Sequence, residues 1–212
     1  MKEVERHPLQ PFLPEHARML MLGSFPPARR RWSMEFFYPN FHNDFWRVMG
    51  LCFFGDKDYL VDEENRTFRL PLIRSLLTSA GIAIYDTATE VIRQKNTASD
   101  KDLEVVTPTD LDSLLDSIPE CTAIVATGEK STGLICSYFD ICEQPSVGES
   151  VTFVRRGREL RLYRMPSTSR AYPLKLEKKA EKYKAMFSFE KLKLGNENSF
   201  SRASRFVKAA GR

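Results

Sequence analysis

Leu20-Met-Leu-Gly-Ser-Phe-Pro-Pro27 is the stretch that decides the fold, because a short apolar run ends there in a turn rich in Gly, Ser and Pro. Met165-Pro-Ser-Thr-Ser169 repeats this arrangement near the other end of the chain, directly after a second apolar run. Each stretch is typical of a strand that runs into a tight turn. Such turns expose backbone N–H groups and hydroxyls at the edge of a sheet, where phosphates and bases can be held. The two stretches therefore predict a binding site at the ends of buried strands.

Apolar runs elsewhere place further strands and helices between these two stretches. Candidate strands besides residues 18–22 are residues 81–86 and 121–127, and a hairpin formed by residues 151–154 and 160–163. Candidate helices, identified by apolar residues at helical spacing, are residues 43–54, 72–81, 109–118, 132–138 and 176–187. Strands that alternate with helices predict an α/β fold, a three-layer α/β/α sandwich with a short, mostly parallel central sheet. The site of such a sheet lies beyond the carboxyl ends of its strands, and the turns expected there are at Gly23, Asp86, Gly128 and Pro166.

Composition indicates one domain with a large core, since 42% of the 212 residues are hydrophobic and 15 are Phe. We assign this domain to residues 1–187, with a polar loop at residues 94–102. Residues 188–212 form a basic C-terminal extension with a linker near Gly195. Residues 173–212 carry eleven Lys or Arg and four Asp or Glu, a balance of +7, whereas residues 1–172 have a balance of −3. A basic end fits contact with a polyanion, and it fits a solvated helix and tail equally well.

The sequence gives no indication of a membrane segment or a metal site. No apolar run approaches the roughly 18–20 residues that a bilayer-spanning helix needs. The N-terminal residues lack the apolar core of a signal peptide, so we expect a soluble, cytoplasmic protein that is a monomer. The four cysteines match no zinc or iron–sulfur spacing and are expected to be buried free thiols. We expect neither a metal ion nor a cofactor.

The segment Phe36–Trp46 is the densest aromatic stretch of the chain, and it interleaves rings with amide side chains. A base pocket needs this combination, because a ring stacks on an extruded base while amides read its edge. Phe45 and Trp46 are instead expected to form the core face of the following helix. The residues of this segment that fit a pocket wall as well as a loop are Tyr38, Asn40, His42 and Asn43.

Four motifs in a fixed order give the chain a resemblance to a known family. They are Leu22-Gly-Ser-Phe-Pro26, Phe37-Tyr-(x)4-Asn43-x-Phe-Trp46, Ile84-Tyr-Asp86 and Met165-Pro-Ser-Thr-Ser169. Together they resemble the uracil-DNA glycosylase superfamily, most closely its hypoxanthine-DNA glycosylase branch, with the mismatch-specific thymine/uracil glycosylases more distant. The resemblance covers roughly residues 7–187. It implies an enzyme that binds DNA containing a damaged base, swings the nucleotide out of the stack and hydrolyses its N-glycosidic bond without a metal or a cofactor.

The resemblance also implies roles for individual residues. Backbone N–H groups near Gly23 and Ser24 would stabilise the leaving base, and Tyr38 matches the ring that stacks on the base in the mismatch-specific enzymes. The residues expected to bind phosphates beside the lesion, at the start of the Lys-rich helix, are Ser167, Thr168 and Ser169. Arg170 would probe the minor groove or fill the vacated place in the base stack.

Phe25 departs from the pattern of the superfamily. Many members have Asn or Asp there, just before the proline, to orient the attacking water, which a phenyl ring cannot do. The hypoxanthine branch also lacks this polar residue, so we group Phe25 with the base-binding residues. The catalytic role then passes to Asn43, which would position water or the base, and to Asp86 as a general base. The alternative for Asp86 is a turn cap at the end of its strand.

Three functional hypotheses follow from these residues. The first is a monofunctional DNA glycosylase that removes a deaminated base, hypoxanthine in preference to uracil. The second is a DNA-binding module of the same fold that has lost the chemistry, because Phe25 replaces the water-orienting residue and the C-terminal end is basic. The third is a hydrolase of free nucleosides or of another small phosphate-bearing substrate, which the turn at residues 165–169 could hold.

Overall fold

The computed structural model describes residues 3–94 and 102–192 of the chain. The strands, in chain order, are β1 (Val4–Arg6), β2 (Met19–Gly23), β3 (Val61–Asp62), β4 (Thr67–Phe68), β5 (Ile82–Asp86), β6 (Ala88–Arg93), β7 (Leu103–Pro108), β8 (Ala123–Ala126), β9 (Ser150–Arg155) and β10 (Arg158–Arg164). The helices are α1 (Phe45–Phe54), α2 (Leu70–Ala80), α3 (Leu111–Ser117), α4 (Glu129–Tyr138) and α5 (Leu176–Phe189), with a short 3-10 turn at Arg29–Arg31. Each strand and helix predicted from the sequence is present, with small shifts at its ends.

Five strands form the central sheet in the order β5-β2-β8-β10-β9. β2 pairs with β5 on one side and with β8 on the other, and β10 extends the sheet beyond β8, all in parallel. β9 is antiparallel to β10 and forms an edge of the sheet. Every residue of β2, β5 and β8 is buried, as expected for parallel strands that are covered on both faces. The predicted mostly parallel central sheet is confirmed.

Helices flank this sheet and complete the core. α1 packs against α5, where the ring centroids of Phe53 and Phe187 lie 4.9 Å apart. α2 contacts β5, and α4 contacts β8. The side chains of Phe45 and Trp46 are fully buried, and the indole N–H of Trp46 donates to the Phe37 carbonyl over 3.0 Å. Both residues belong to the core, as predicted, and the fold class is the predicted α/β sandwich.

The sequence does not predict the second sheet, which consists of three antiparallel strands in the order β1-β6-β7. β1 has only three residues and β7 is exposed along most of its length, so neither strand shows a periodic apolar pattern. Arg6 pairs with Glu90 in this sheet, and the next residue, His7, donates its backbone N–H to the Thr89 carbonyl over 2.8 Å. This pairing brings the N-terminal segment beside the carboxyl end of β5, where His7 contacts Asp86.

Some sequence predictions fall partly or wholly outside the described residues. In the predicted loop at residues 94–102, the Gln94 N–H donates to the Asp102 carbonyl over 2.6 Å, while residues 95–101 are outside. The predicted linker near Gly195 is outside as well. α5 continues to Phe189, and the Leu192 side chain is buried in the core. The boundary between a domain and an extension at residue 187 stays a prediction.

The cysteines are free thiols, and three of the four are buried as predicted: Cys52, Cys121 and Cys136. The prediction is wrong for Cys142, which is exposed because it lies in the irregular segment after α4 rather than on a packed face. Burial raises the pKa of Cys121 to about 12, so its thiol stays protonated at neutral pH.

Within residues 3–94 and 102–192, no helix has both the length and the hydropathy that a membrane crossing requires.

Candidate active site

The carboxyl ends of the parallel strands converge on one cleft of about 1020 Å³, as predicted. Gly23 pairs with Asp86 in the sheet, and Ala126 pairs with both Leu22 and Arg164, so the strands end at nearly the same level. The volume is at the upper end of the range for ligand pockets in proteins. The predicted site residues that line the cleft are Gly23, Ser24, Phe25, Tyr38, Asn43, Asp86, Ser167, Thr168 and Ser169. Arg170 is the predicted site residue that does not line it.

Asp86 is almost fully buried at the edge of the cleft. Its Oδ2 lies 2.9 Å from Nε2 of His7, and its Oδ1 faces Gly23, where a Cβ atom would lie only 2.3 Å away. Its carboxylate accepts no hydrogen bond from a backbone N–H of the described residues, so the turn cap is not its role. The backbone is fixed instead by the Thr109 hydroxyl, which donates to the Asp86 carbonyl over 2.7 Å. The missing side chain at position 23 leaves the space that Oδ1 occupies.

Asn43 borders the cleft just before α1 begins. Its Oδ1 accepts the backbone N–H of Phe45, the first residue of the helix, over 2.8 Å. Its backbone forms an antiparallel bridge with Ser169, and the next residue, Asp44, donates its N–H to the Thr168 carbonyl over 2.9 Å. The amide nitrogen of Asn43 makes no hydrogen bond with the described residues. It can therefore donate to a water molecule or to a base.

Tyr38 lines the cleft with a ring that is held on one side. The ring stacks on Phe45 with centroids 3.7 Å apart and planes inclined by 10°. The hydroxyls of Tyr38 and Thr127 lie 2.5 Å apart, which anchors the ring at the end of β8. The backbone of Tyr38 has a φ of 49°, in the left-handed region that bulky residues rarely adopt. One face of the ring is thus committed to α1.

Phe25 is buried and anchors the turn after β2 onto the second sheet. It packs with Ala88 and Val91 of β6 and with Leu103 of β7. Its ring also meets the imidazole of His7 edge-on, with centroids 5.3 Å apart. Although Phe25 lines the cleft, most of its surface is occupied by this packing.

The loop of residues 167–170 is held in place by a charge network that we call the Asp44 network. The Asp44 carboxylate accepts from Nε of Arg170 and from Nζ of Lys179, each over 3.0 Å. Lys179 also donates to the Ser169 carbonyl over 2.8 Å, and its side chain is only 1% exposed. The Arg170 side chain is 48% exposed, and its guanidinium is folded against Asp44. Its contact with DNA stays a prediction.

The Lys-rich helix begins where its apolar spacing predicted, so the expectation that residues 167–169 lie at its start is wrong. α5 begins at Leu176, and Pro173 lies in the turn that separates the helix from Ser169. Proline disfavours helical backbone in the residue before it, which delays the start of the helix. Phosphate binding at residues 167–169 would therefore rest on hydroxyls and backbone groups of the loop itself.

Several basic residues that were not predicted from the sequence also line the cleft, namely Arg31, Arg93, Lys130 and Arg164. Asp86 and Glu129 are the acidic residues of this lining, so positive charge predominates. The basic run Arg29–Arg31 begins two residues after the Pro-Pro turn and could have been recognised from the sequence. Arg164 could not, because its position at the end of β10 matters only in the fold. Its Nε is buried and makes no hydrogen bond with the described residues.

Two further properties limit the chemistry of the cleft. Burial raises the pKa of the Tyr85 phenol, and the adjacent Asp86 carboxylate raises it further, so this hydroxyl is neutral at pH 7. In the part of the chain that the structure describes, no group of three or more His, Cys, Asp or Glu side chains is arranged to hold a metal ion. The two predicted catalytic residues, Asp86 and Asn43, both line the cleft, and their catalytic roles stay predictions.

Comparison with known proteins identifies the fold. No protein-family model matches the chain, and no curated protein matches it. Among solved structures, the chain is similar to the solution NMR structure of a putative uracil DNA glycosylase from Methanosarcina acetivorans. The TM-score is 0.58 at 18% sequence identity, and the match covers 88% of this chain and 98% of that chain. The chain therefore has a uracil-DNA-glycosylase-like fold, and at this identity the likeness concerns the fold alone.

Proposed function

We propose that this protein is a monofunctional DNA glycosylase that excises a deaminated base, hypoxanthine in preference to uracil. The observation that carries the proposal is the position of Asp86 and Asn43 in one cleft at the carboxyl ends of the parallel strands. A carboxylate and a free amide donor there can act on a sugar and a base at the same time. The fold shared with the Methanosarcina acetivorans structure supports a reaction of this class.

The proposed reaction is hydrolysis of the bond between C1′ and the base nitrogen. The water oxygen forms a bond to C1′, and the electron pair of the broken bond leaves with the base, which takes up a proton from solvent. Asp86 accepts the proton that the water loses. Before that transfer, its negative charge stabilises the positive charge that builds on the sugar. Asn43 donates from its amide nitrogen to the water or to the base.

The walls of the cleft suit a base that has been extruded from the duplex. Gly23, Ser24 and Tyr38 line the cleft. In this proposal the Tyr38 ring stacks on the base, and the backbone at Gly23 and Ser24 stabilises the base as it leaves. Phe25 adds apolar surface and no polar atom. This supports hypoxanthine over uracil, because the branch that the chain resembles also lacks a polar residue at this position.

The rim of the cleft suits a DNA backbone. The hydroxyl-bearing loop at residues 167–169 stands on one side, and the exposed Arg31 stands among the basic residues of the lining. Hydroxyls, loop N–H groups and arginines are the usual contacts to phosphates flanking a recognised nucleotide. We therefore propose that the rim holds the duplex while the target nucleotide enters the cleft.

Excision can be tested with end-labelled duplexes that contain a single hypoxanthine, uracil or xanthine. Under single-turnover conditions with alkaline cleavage, we expect strand breaks at the lesion, fastest for hypoxanthine. Asn43→Ala should lower the rate by roughly 10²-fold or more, with little change in the Kd for DNA. Asn65→Ala is the matched control, because Asn65 is exposed, bonded to Asp62 and absent from the cleft lining.

The same experiment decides between catalysis and binding alone. The burial of Phe25, where many members of the superfamily have a water-orienting residue, favours the DNA-binding module as the second candidate. If the protein binds all three duplexes and yields no alkali-labile product from any of them, the glycosylase proposal is wrong. Release of bases from free nucleosides, with DNA binding that hardly depends on salt, would instead support the small-substrate hydrolase.

A further inference from the structure

His7 lies in the interior beside Asp86, although it stands in none of the sequence motifs that predict site residues. Its Nε2 is 2.9 Å from Asp86 Oδ2, and the two side chains are only 2% and 8% exposed. The contact joins residues that are 79 positions apart. It depends on the pairing of β1 with β6, through which the His7 N–H bonds to the Thr89 carbonyl.

The surroundings of His7 fix the orientation of its ring. Three aromatic rings enclose the imidazole, with centroids 4.7 Å away for Tyr85, 5.3 Å for Phe25 and 6.2 Å for Phe37. On the far side of the ring, Nδ1 lies 3.2 Å from the Leu9 N–H, which donates to it. A neutral ring that accepts at Nδ1 carries its proton on Nε2. That proton points at Asp86 Oδ2.

A protonated ring would have the same effect on Asp86. In that state Nδ1–H would donate to the Leu9 carbonyl, which is 2.9 Å away, and Nε2–H would still donate to Oδ2. In both protonation states His7 therefore donates to Oδ2 of Asp86 and leaves Oδ1 without a hydrogen bond from the imidazole. The free oxygen, Oδ1, is the one that faces Gly23 at the edge of the cleft.

We propose that His7 is the positioning residue of Asp86. It holds Oδ2 from behind, so that Oδ1 keeps a single direction toward the cleft and is ready to accept a proton from water. This inference rests on the proposed function, since it assumes that Asp86 acts on the attacking water. His7 itself touches no substrate, because Asp86 and the aromatic rings separate it from the cleft.

Two substitutions separate this role from simple packing. His7→Phe keeps a ring among its three aromatic neighbours and removes the donor, whereas His7→Gln keeps an N–H close to the position of Nε2. We expect the phenylalanine variant to lose roughly 10- to 100-fold in single-turnover rate, the range for a displaced catalytic group, with the Kd for DNA within twofold of wild type. The glutamine variant should recover most of the rate. His16→Phe is the matched control, since His16 also pairs with a carboxylate, Glu120, but at an exposed site.

The rates of the His7 variants and of the wild type distinguish a failure of this inference from a failure of the proposed function. A His7→Phe rate within twofold of wild type, or a glutamine variant as slow as the phenylalanine variant with the same thermal stability, overturns the positioning role. If the wild type excises no base, the proposed function fails instead. The pair is then examined by nitrogen NMR of the three histidines, where Asp86→Asn should move only the His7 resonances. Unchanged His7 resonances would contradict the contact itself.

Discussion

Gly23 has no side chain at a place where a single methyl group would meet the Asp86 carboxylate. A Cβ would lie 2.3 Å from Oδ1 and 3.1 Å from the Tyr38 hydroxyl. The backbone cannot withdraw, because the Gly23 carbonyl accepts from both the N–H and the hydroxyl of Thr87. We therefore expect Gly23→Ala to lower the single-turnover excision rate by roughly 100-fold, as for other small displacements of a catalytic group.

The stability of this variant should fall by only about 1–3 kcal/mol, the usual range for overpacking, as measured by urea unfolding. Gly133→Ala is the matched control. Gly133 lies within α4, and the nearest side-chain atom to an added Cβ is Nε2 of Gln144 at 3.5 Å. The control should gain roughly 0.5–1 kcal/mol and keep full activity. A fully active Gly23→Ala protein would show that Oδ1 has no defined position.

The residues of the site differ in how far the sequence could reveal them. Asn43 and Asp86 each stand in a short motif beside a predicted helix or strand. The local sequence was therefore enough to predict both as site residues. His7 was not, because its partner is brought to it by a short strand whose pattern is too brief to recognise. The packing of Tyr38 on Phe45 likewise depends on a left-handed backbone that no local pattern announced.

The Asp44 network ties α1, α5 and the 167–170 loop together, and Lys179 is its most buried member. Lys179→Met would leave the Asp44 carboxylate buried with Arg170 alone, and would release the Ser169 carbonyl. We expect a loss of about 3–5 kcal/mol in the free energy of unfolding, because a buried charge loses its partner. Urea unfolding measures this loss, and DNA binding should weaken with it.

Lys178→Met is the matched control for this prediction. The neighbouring Lys178 pairs with Glu181 at the surface, where both side chains are more than 60% exposed. Exposed pairs of this kind contribute about 0–1 kcal/mol. If the two methionine variants are equally stable, the Asp44 network does not hold the loop.

α3 has an acid-sensitive cap at its first turn. Asp110 accepts the backbone N–H of Ser113 over 3.0 Å and its hydroxyl over 2.6 Å, and it accepts from the Tyr138 hydroxyl over 2.9 Å. These hydrogen bonds lower the pKa of Asp110 from 3.8 to about 2. A lowered pKa in the folded state stabilises the protein above the unfolded value, and this contribution is lost as the pH falls from about 4 to about 2.

The Tm of the wild type should therefore drop between pH 4 and pH 2 more steeply than that of Asp110→Asn, which has no carboxyl group to protonate there. Calorimetry in steps of half a pH unit measures the difference. Asp116→Asn, on the same helix, leaves the cap intact and should follow the wild-type curve. Parallel curves for the wild type and Asp110→Asn would contradict the assigned cap.

The distribution of charge over the molecule predicts how DNA binding responds to salt. Basic residues cluster at the cleft, and Arg31 is exposed there. Arg31→Ala should reduce the slope of log Kd against log salt by about 1, the change expected for one lost phosphate contact. Arg18→Ala is the control, because Arg18 is exposed before the opposite end of β2. If the slope of log Kd against log salt is the same for Arg31→Ala and Arg18→Ala, Arg31 does not contact a phosphate.

The central strands β2, β5 and β8 were predictable because they are buried on both faces and are therefore continuous apolar runs. The second sheet was not, since β6 and β7 are partly exposed and polar residues interrupt their apolar ones. The same reasoning explains why the location of the cleft was predictable and its basic lining was not. Arg93 and Arg164 acquire their place through strand pairing rather than through a motif.

The bridge between Asn43 and Ser169 has a consequence for the entropy of recognition. Two segments that are far apart in the chain are already joined by backbone hydrogen bonds before a substrate arrives. Binding then does not have to order either segment, and ordering a loop typically costs about 0.5–1.5 kcal/mol for each side chain that is immobilised. If the proposed function is right, intact and damaged duplexes meet the same preformed surface, and we expect discrimination between them at the step in which a nucleotide leaves the helix.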